Sequence, residues 1–515
     1  MDNLPYVYPT VVHMLAAAAS RAPQAEALVC QGERLSYAQY LRCVAGFAHE
    51  LVELGASGGR VGIVLGNSSD ICVAMFAIHA ARAQAAPFNP LYTERELRNL
   101  CQDADLCAII YAQDKRAMME SIADELGIKH RFCIGPGDRR LTAWADAADR
   151  ELPQPLPAPG DLATLQYTGG TTGRAKGVNL THAAVATNIS QREAVLPTRP
   201  DRERLLCVMP LFHVYAVAMC LHNMVYARGS LVIVPRYTPE TVFDLLAHEH
   251  ISIFAGSPTL FTSLLGHDDF AQADFADLHV SYSGSASLPE ELLRRWEAAT
   301  GAPAVEGYGQ SESGPVLSFN PLHGTRKPGS VGVALPQTEL QIVDLEQGTQ
   351  VLGQGEKGEI RARGPQVMQG YRNLPEETAA TLRDGWLYTG DIGEFDADGY
   401  LYIRDRKKEM AKVSGYNVFP REIEEVLYLH PAVQEVAVIA LPDAYRGEVV
   451  QGYVSLRKNQ EASAEQLLEH CRQNLAKYKL PAAIVIVAEV PKTGVGKFDK
   501  NRLKAEAAAA PAAKH

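Results

Sequence analysis

The chain carries no C-x-x-C pair, no block of basic residues, no G-x-x-x-x-G-K-[ST] loop and no uninterrupted apolar run long enough to cross a bilayer. Each absence removes a class of function. The nine cysteines, Cys30, Cys43, Cys72, Cys101, Cys107, Cys133, Cys207, Cys220 and Cys471, stand singly in mostly apolar segments. That spacing excludes a zinc ribbon or a disulfide framework and implies buried thiols in a reducing cytosol. With 49 basic against 60 acidic residues and a net charge of −11, no surface suited to nucleic acid is expected. The most apolar stretch, Cys207–Val225, is broken by Pro210, His213, His222 and Asn223, so no integral membrane association is expected either. The opening MDNLPYVYPT lacks the basic start and apolar core of a secretory leader. The expected location is the cytoplasm. No internal repeat is visible.

What is present is a chain of 515 residues, 47% hydrophobic and 21% charged, a composition that supports a large core and roughly three domains' worth of length. Short apolar strands (Arg60–Asn67, Leu106–Ala112, Ser230–Pro235, Ile251–Pro258) alternate with helical stretches (Ser69–Ala85, Thr238–Glu249, Pro289–Thr300). This alternation predicts parallel sheets covered by helices, an α/β fold. After Gly324, glycine-rich and acidic turns separate short strands, and charges crowd near Ile403–Lys408. Beyond them a helix, loop and strand pattern predicts a compact α+β module. The alanine-rich tail 504–515 is expected to be disordered.

The segment QYTGGTTGRAKGVNLTH (Gln166–His182) has glycines and a lysine but not the usual nucleotide-loop order, since Ala175 precedes Lys176 and Gly177 follows it. Gly169, Gly170, Gly173 and Gly177 permit backbone N–H groups to converge on an anion. Thr168, Thr171 and Thr172 add hydroxyl donors, and Lys176 adds a cation suited to phosphate. Read alone, the segment fits a phosphate cradle or an ordinary glycine-rich turn after a short strand.

Five more motifs follow it in order: PLFHVY (Pro210–Tyr215), EGYGQSES (Glu306–Ser313), GWLYTGDIG (Gly385–Gly393), DRKKEMAKVSGYNVFP (Asp405–Pro420) and PKTGVGK (Pro491–Lys497). Together the six resemble the adenylate-forming superfamily over about Leu35 to Leu503. That superfamily includes acyl-CoA synthetases, peptide-synthetase adenylation domains and beetle luciferases. The resemblance implies an α/β fold with a large N-terminal domain (1–404) of two αβ-layered subdomains plus a β-barrel, and a small mobile α+β C-terminal domain (405–503). It implies a two-step reaction: a carboxylate attacks the α-phosphate of ATP and expels pyrophosphate, then a thiol displaces AMP to form a thioester.

The resemblance also assigns roles. Lys497 matches the lysine that bridges the acyl carboxylate and the α-phosphate, and Glu312 the glutamate that binds Mg2+, a cation that prefers hard oxygen ligands beside phosphates. Ser311 stands where threonine is usual and keeps the hydroxyl. Tyr308 is implied to lie along adenine, with Gly307, Gly309, Gly284 and Ser285 in the same nucleotide pocket; SYSGSASL departs there from the usual S-G-G-A-P-L. Asp391 and Arg406 match the ribose-binding pair. Thr168, Gly169, Gly170, Thr171, Thr172 and Lys176 fall to the ATP phosphates. Lys408 falls on the hinge position, and rotation there would withdraw Lys497 and admit the thiol. Lys412 and Gly415 match a loop lining the CoA tunnel, although Ala411 replaces a bulkier residue. His213 matches a residue near the acyl carboxylate; a histidine on an apolar segment is otherwise a satisfied core residue.

Only 18 residues follow Lys497 (515 minus 497), so no fused carrier domain is expected. NPLYTERELRNL (Asn89–Leu100), YTGGTTG and VSGYNVFPREIEEVL resemble bacterial fatty-acyl-CoA ligases, and Val214–Met224 is apolar with small residues, as an alkyl channel needs. The expected substrates are ATP, CoA and a medium- or long-chain fatty acid, the last named against an aryl acid of the cinnamate type. A separate carrier protein as acceptor, a non-catalytic binding homologue and a homodimer are the other arrangements left open.

Overall fold

The computed structural model describes residues 4–168, 175–443, 445–494 and 496–509. The predicted βα alternation forms two sheets. The first orders nine strands as Val333–Ala334, Val316–Phe319, Ala304–Gly309, Val280–Ser283, Ile253–Gly256, Arg204–Cys207, Ser230–Ile233, Glu26–Cys30 and Glu33–Ser36. From Ala304–Gly309 to Glu26–Cys30 every neighbour is parallel. The second sheet orders seven: Gly370–Tyr371, Lys176–Thr181, Leu162–Thr168, Gln84–Pro87, Arg60–Val64, Ala108–Ala112 and His130–Ile134. Its last five are parallel, and Leu162–Thr168 turns back antiparallel into Lys176–Thr181.

One continuous core fills the space around the helices Val11–Arg21, Tyr37–Glu53 and Ser69–Ala80. The last of these is apolar on every side, and all twelve of its residues are buried; a helix hydrophobic all round has no solvent face to offer. The alanine-rich sequence predicted helix through Ala85, but the helix ends at Ala80. Arg82 takes a left-handed φ of 59°, and Gln84–Pro87 instead pairs with Arg60–Val64. Sheet pairing overrides the helix propensity of alanine there.

The expected β-rich region is a five-stranded antiparallel sheet built from Glu339–Val343, Gly358–Arg363, Trp386–Phe395, Leu382–Arg383 and Leu401–Arg406. The boundary expected at 404/405 falls inside Leu401–Arg406, whose pairing runs on through Asp405 and Arg406. The small C-terminal domain has its own five-stranded sheet and its own core around Val413, Ile423, Leu427 and Val438. Helix Lys500–Ala509 corrects the expectation of disorder over 504–509, because its first half is tied down to the small domain. Leu503 is buried, Lys500 pairs with Glu424 and Lys504 with Glu409, each at 2.7 Å. Residues 510–515 lie outside the described ones. Among the described residues no helix is long and apolar enough to cross a membrane.

Three histidines lie inside the main core: His79, His182 and His222. The His79 and His182 rings meet edge-on at 5.1 Å, and His222 meets Phe76 at 5.7 Å. Burial first, and neighbouring histidines second, push all three below the usual histidine range, His182 and His222 to about 3. The unfolded chain takes up protons as pH falls through about 6.5 while the folded core does not, so stability is present above that pH and lost below it. Each such histidine costs about 2 kcal/mol at pH 5. The fall in unfolding free energy between pH 7.5 and 5.0, measured by urea titration, is therefore expected to shrink by about that amount in His222→Phe. An unchanged fall would exclude the buried-neutral assignment.

Candidate active site

The two large sheets and the C-terminal domain converge on one cluster. The hairpin from Leu162–Thr168 to Lys176–Thr181 sets Thr168 opposite Lys176, and the Thr168 hydroxyl donates to the Lys176 carbonyl at 3.5 Å. Gly169, Gly170, Thr171 and Thr172 lie outside the described residues. The Lys176 ammonium stands 5.0 Å over the ring of Tyr371, a cation–π contact. Tyr371 in turn donates its hydroxyl to Glu312 Oε1 at 2.8 Å. Burial, then Glu312, push the Tyr371 phenol up, so it stays a donor. The lysine expected at the phosphates and the glutamate expected at the metal are thus joined through one tyrosine.

Glu312 sits in the single turn Ser311–Ser313 that follows strand Ala304–Gly309. The chain doubles back tightly here: a Cβ on Gly309 would lie 1.8 Å from the Pro315 carbonyl oxygen, and one on Gly307 would lie 2.3 Å from the Phe319 ring. Only glycine fits either place. Gly284 meets Tyr215 in the same way, at 2.5 Å. Ser285 takes a φ of 68°, a left-handed conformation that costs a non-glycine residue about 1–3 kcal/mol. The backbone keeps the shape of the usual second glycine of S-G-G-A-P-L although the residue differs.

Asp391 is buried, and both its oxygens are engaged. Tyr308 donates its hydroxyl to Oδ2 at 2.7 Å, and Arg406 Nε stands 3.0 Å from Oδ1. Asp391 and Arg406 are partners across the antiparallel pair Trp386–Phe395 and Leu401–Arg406. Asp391, above all, holds the Arg406 guanidinium above its ordinary range. The two residues expected at the ribose therefore meet before any ligand arrives.

Lys497 reaches this cluster from the C-terminal domain. Its loop is fixed by the Thr493 N–H donating to the Lys497 carbonyl at 2.7 Å and by the Thr259 hydroxyl donating to the Gly496 carbonyl at 3.0 Å. The second bond crosses between domains. Among the described residues the Lys497 ammonium has no hydrogen-bond or ion-pair partner; it lies in the field of Arg406, Asp391, Glu312 and Lys408. Burial, then Arg406, lower it to about 8. His213 faces it. The His213 Nδ1 accepts from the Tyr215 N–H at 3.3 Å and caps the helix that begins at Val214. Burial, then Lys497, lower His213 to about 3, so the ring is neutral with Nε2–H as its donor edge. It is half-buried, unlike His79, His182 and His222, which are fully buried.

Lys408 lies in the turn between the domains, flanked by two anchored residues. Lys407 is held to the large domain by Glu359 at 2.8 Å and by the Gly390 carbonyl. Glu409 is held to the C-terminal helix by Lys504. Rotation would concentrate at the residue between them. Lys412 and Gly415 do not join the cluster. They belong to an exposed hairpin whose tip, Ser414–Gly415, has φ values of 49° and 86°. Ala411 is fully buried in the small domain's core, where its size suits the packing.

Sequence reasoning missed two residues. Tyr371 carries no local motif signal beyond its glycine neighbour; its role appears only when strand Gly370–Tyr371 pairs with Val178 and Asn179. Arg192, on helix His182–Val195, is almost wholly buried; Nη2 reaches Glu193 at 3.1 Å, while Nε and Nη1 lack partners among the described residues. Its charge acts on Cys220 and Tyr282, lowering the pKa of both against the larger effect of burial.

Comparison with known proteins gives the same picture. The family model for the AMP-binding enzyme matches residues 15–372, and that for the AMP-binding enzyme C-terminal domain matches 422–497. A long-chain-fatty-acid–CoA ligase of Bacillus subtilis (strain 168) is 35% identical, with 98% of this chain and 96% of that one covered. A feruloyl-CoA synthase of an Amycolatopsis species is 32% identical over 94% and 96%. Among solved structures, the anthranilate CoA ligase AuaEII in complex with anthranoyl-AMP is 29% identical and superposes with a TM-score of 0.91 over 98% of this chain and 99% of that one. The matched motifs, the two-domain fold and these relatives converge: the chain belongs to the AMP-binding, adenylate-forming enzymes and is an AMP-forming acid–CoA ligase.

Proposed function

We propose that the acid is a medium- or long-chain fatty acid and that the structure holds the arrangement in which its adenylate forms. The observation that carries the second part is the Lys497 ammonium, without a partner among the described residues, close enough for its charge to act on His213 and in the field of Asp391 and Glu312. An acid carboxylate entering there meets one cation and one imidazole N–H. Its oxygen forms a bond to the α-phosphorus while the bond from that phosphorus to the bridging oxygen breaks and pyrophosphate leaves. Lys497 offsets the charge shared by carboxylate and phosphate. Lys176 and the 168–172 segment hold the departing pyrophosphate, and Asp391 with Arg406 holds the ribose. In the second step the CoA sulfur bonds to the acyl carbon, the acyl–phosphate oxygen bond breaks, AMP leaves and the thiol proton passes to solvent.

Mg2+ would be held by Glu312. Its Oε1 accepts from Tyr371, and among the described residues Oε2 has no protein partner. Among the described residues there is also no group of three or more metal-ligating side chains. One carboxylate with the rest of the shell from substrate phosphate and water is the usual way Mg2+ is bound at such sites. When bound, the ion neutralises charge on the phosphate oxygens.

The fatty-acid reading rests on the buried apolar helix that runs from Val214 past Leu221 and on the relatives named for long-chain fatty acids. A second reading, an aryl acid with a polar far end, is favoured by Arg192. Cys220, on which its charge acts, lies seven residues beyond His213 (220 minus 213) in the same buried helical segment. Two unpartnered guanidinium N–H groups at that depth would suit an oxygen at the tail of the substrate.

Lys497→Ala is expected to abolish adenylate formation, followed as pyrophosphate release, and to leave thioester formation from pre-made acyl-adenylate largely intact. Equal loss in both half-reactions would overturn the role. Because the lysine must be charged, kcat/KM for ATP should fall as pH rises through about 8; a profile flat to pH 9.5 would contradict this. A pyrophosphate-release screen over alkyl acids of several lengths and over hydroxylated aryl acids, with and without CoA, is expected to favour the alkyl acids and to require CoA for turnover. Preference for the aryl acids, lost in Arg192→Leu, would replace the fatty-acid reading with the second one.

A further inference from the structure

A cavity of about 260 Å³ lies between the two domains, away from the site just described. The large domain supplies Glu291 and Arg295 from helix Glu290–Thr300, together with Thr262 and Gly266; the small domain supplies Gln434, Arg457 and Lys458, with Tyr428 at the rear. Three of these groups are cationic and one is anionic. The two charged groups of known allegiance look elsewhere: Lys458 reaches Asp268 at 2.8 Å, and Glu291 reaches Arg294 at 3.5 Å. Among the described residues Arg295 and Arg457 make no side-chain hydrogen bond or ion pair. They share the cavity wall, each half-exposed, one from either domain. Burial, then Arg295, push Arg457 below the ordinary arginine range, and the opposing field of Glu291 does not cancel them.

Two guanidinium groups facing one cavity repel each other, and the repulsion disappears when an anion lies between them. Arginine forks fit tetrahedral phosphate oxygens in particular. The volume is below the roughly 300–1,000 Å³ of pockets for drug-sized ligands and suits a phosphate group carrying little else. We infer that this interdomain cavity is a binding site for a phosphate-bearing anion, held by Arg295 from the large domain and Arg457 from the small one. Its walls belong to both domains, so the anion binds only while they are docked in the present arrangement, and occupancy favours that arrangement. This consequence rests on the proposed domain rotation; the binding does not. The anion would then slow the step that needs the other arrangement, thioester formation, and leave adenylate formation unaffected.

The test uses full-length enzyme with saturating MgATP and no acid, so that the nucleotide's own phosphate positions are filled. Thermal unfolding is followed against inorganic phosphate in one series and adenosine 3′,5′-bisphosphate in another. The expected result is a saturable rise in Tm that is lost in Arg295→Gln and in Arg457→Gln. Both variants should release pyrophosphate at the wild-type rate. The series that saturates at lower concentration identifies the source, free phosphate or a phosphomonoester such as CoA carries. No saturable rise, or a rise retained in both variants, would overturn the site. Where the rise is seen, thioester formation from pre-made acyl-adenylate should slow several-fold with the same half-saturation; an unchanged rate would overturn the coupling to rotation while leaving the binding established.

Discussion

The structure depends on an ammonium group held in place without a counter-ion. Withdrawing a lysine from water disfavours its charged form, and a carboxylate in contact would remove that penalty. Lys497 has none, although Asp391 and Glu312 are near. The acid that acts on it most strongly, Asp391, is already bound by Tyr308 and Arg406. The lysine is left to be completed by ligands that bring their own negative charge. Its own turn closes through Thr493, and the bond from the Thr259 hydroxyl to the Gly496 carbonyl ties that turn to the large domain.

The rest of the site is arranged so that little must move when a nucleotide arrives. Tyr308, Asp391 and Arg406 form one chain of contacts, and Lys176, Tyr371 and Glu312 form another. Each begins on the wall built by the large domain's strands. Charged groups that are already oriented cost less reorganisation at the moment of reaction. The proposed rotation would concentrate at Lys408, because its neighbour Lys407 is bound to Glu359 in one domain and Glu409 to Lys504 in the other.

Much of this was legible in the sequence because it is local. Strands such as Arg60–Val64 and Ser230–Ile233 declare themselves by apolar runs, and Glu312, Asp391 and Lys497 sit in motifs whose glycines enforce tight turns, as the close approach at Gly309 demonstrates. What was hidden is non-local. Tyr371 matters only because its two-residue strand pairs with Val178 and Asn179, and the buried Arg192 reads as one more charged residue on a helix. The Arg295 and Arg457 pair is 162 residues apart (457 minus 295) and becomes a cavity only when the domains dock. Helix Lys500–Ala509 was masked by alanine composition, which hides the two lysines that anchor it.

The central claim is that the present docking makes the adenylate and cannot make the thioester. A cross-link across the interface tests it directly. A Cβ on Gly494 would lie 2.9 Å from the Asn89 amide nitrogen, so cysteines at 89 and 494 can be joined by oxidation with modest adjustment. In the oxidised double variant, rapid-quench measurement of products should show one equivalent of pyrophosphate and a stable acyl-adenylate, with no acyl-CoA until a reductant is added. Acyl-CoA formed by the oxidised enzyme at the rate of the reduced one would contradict the account.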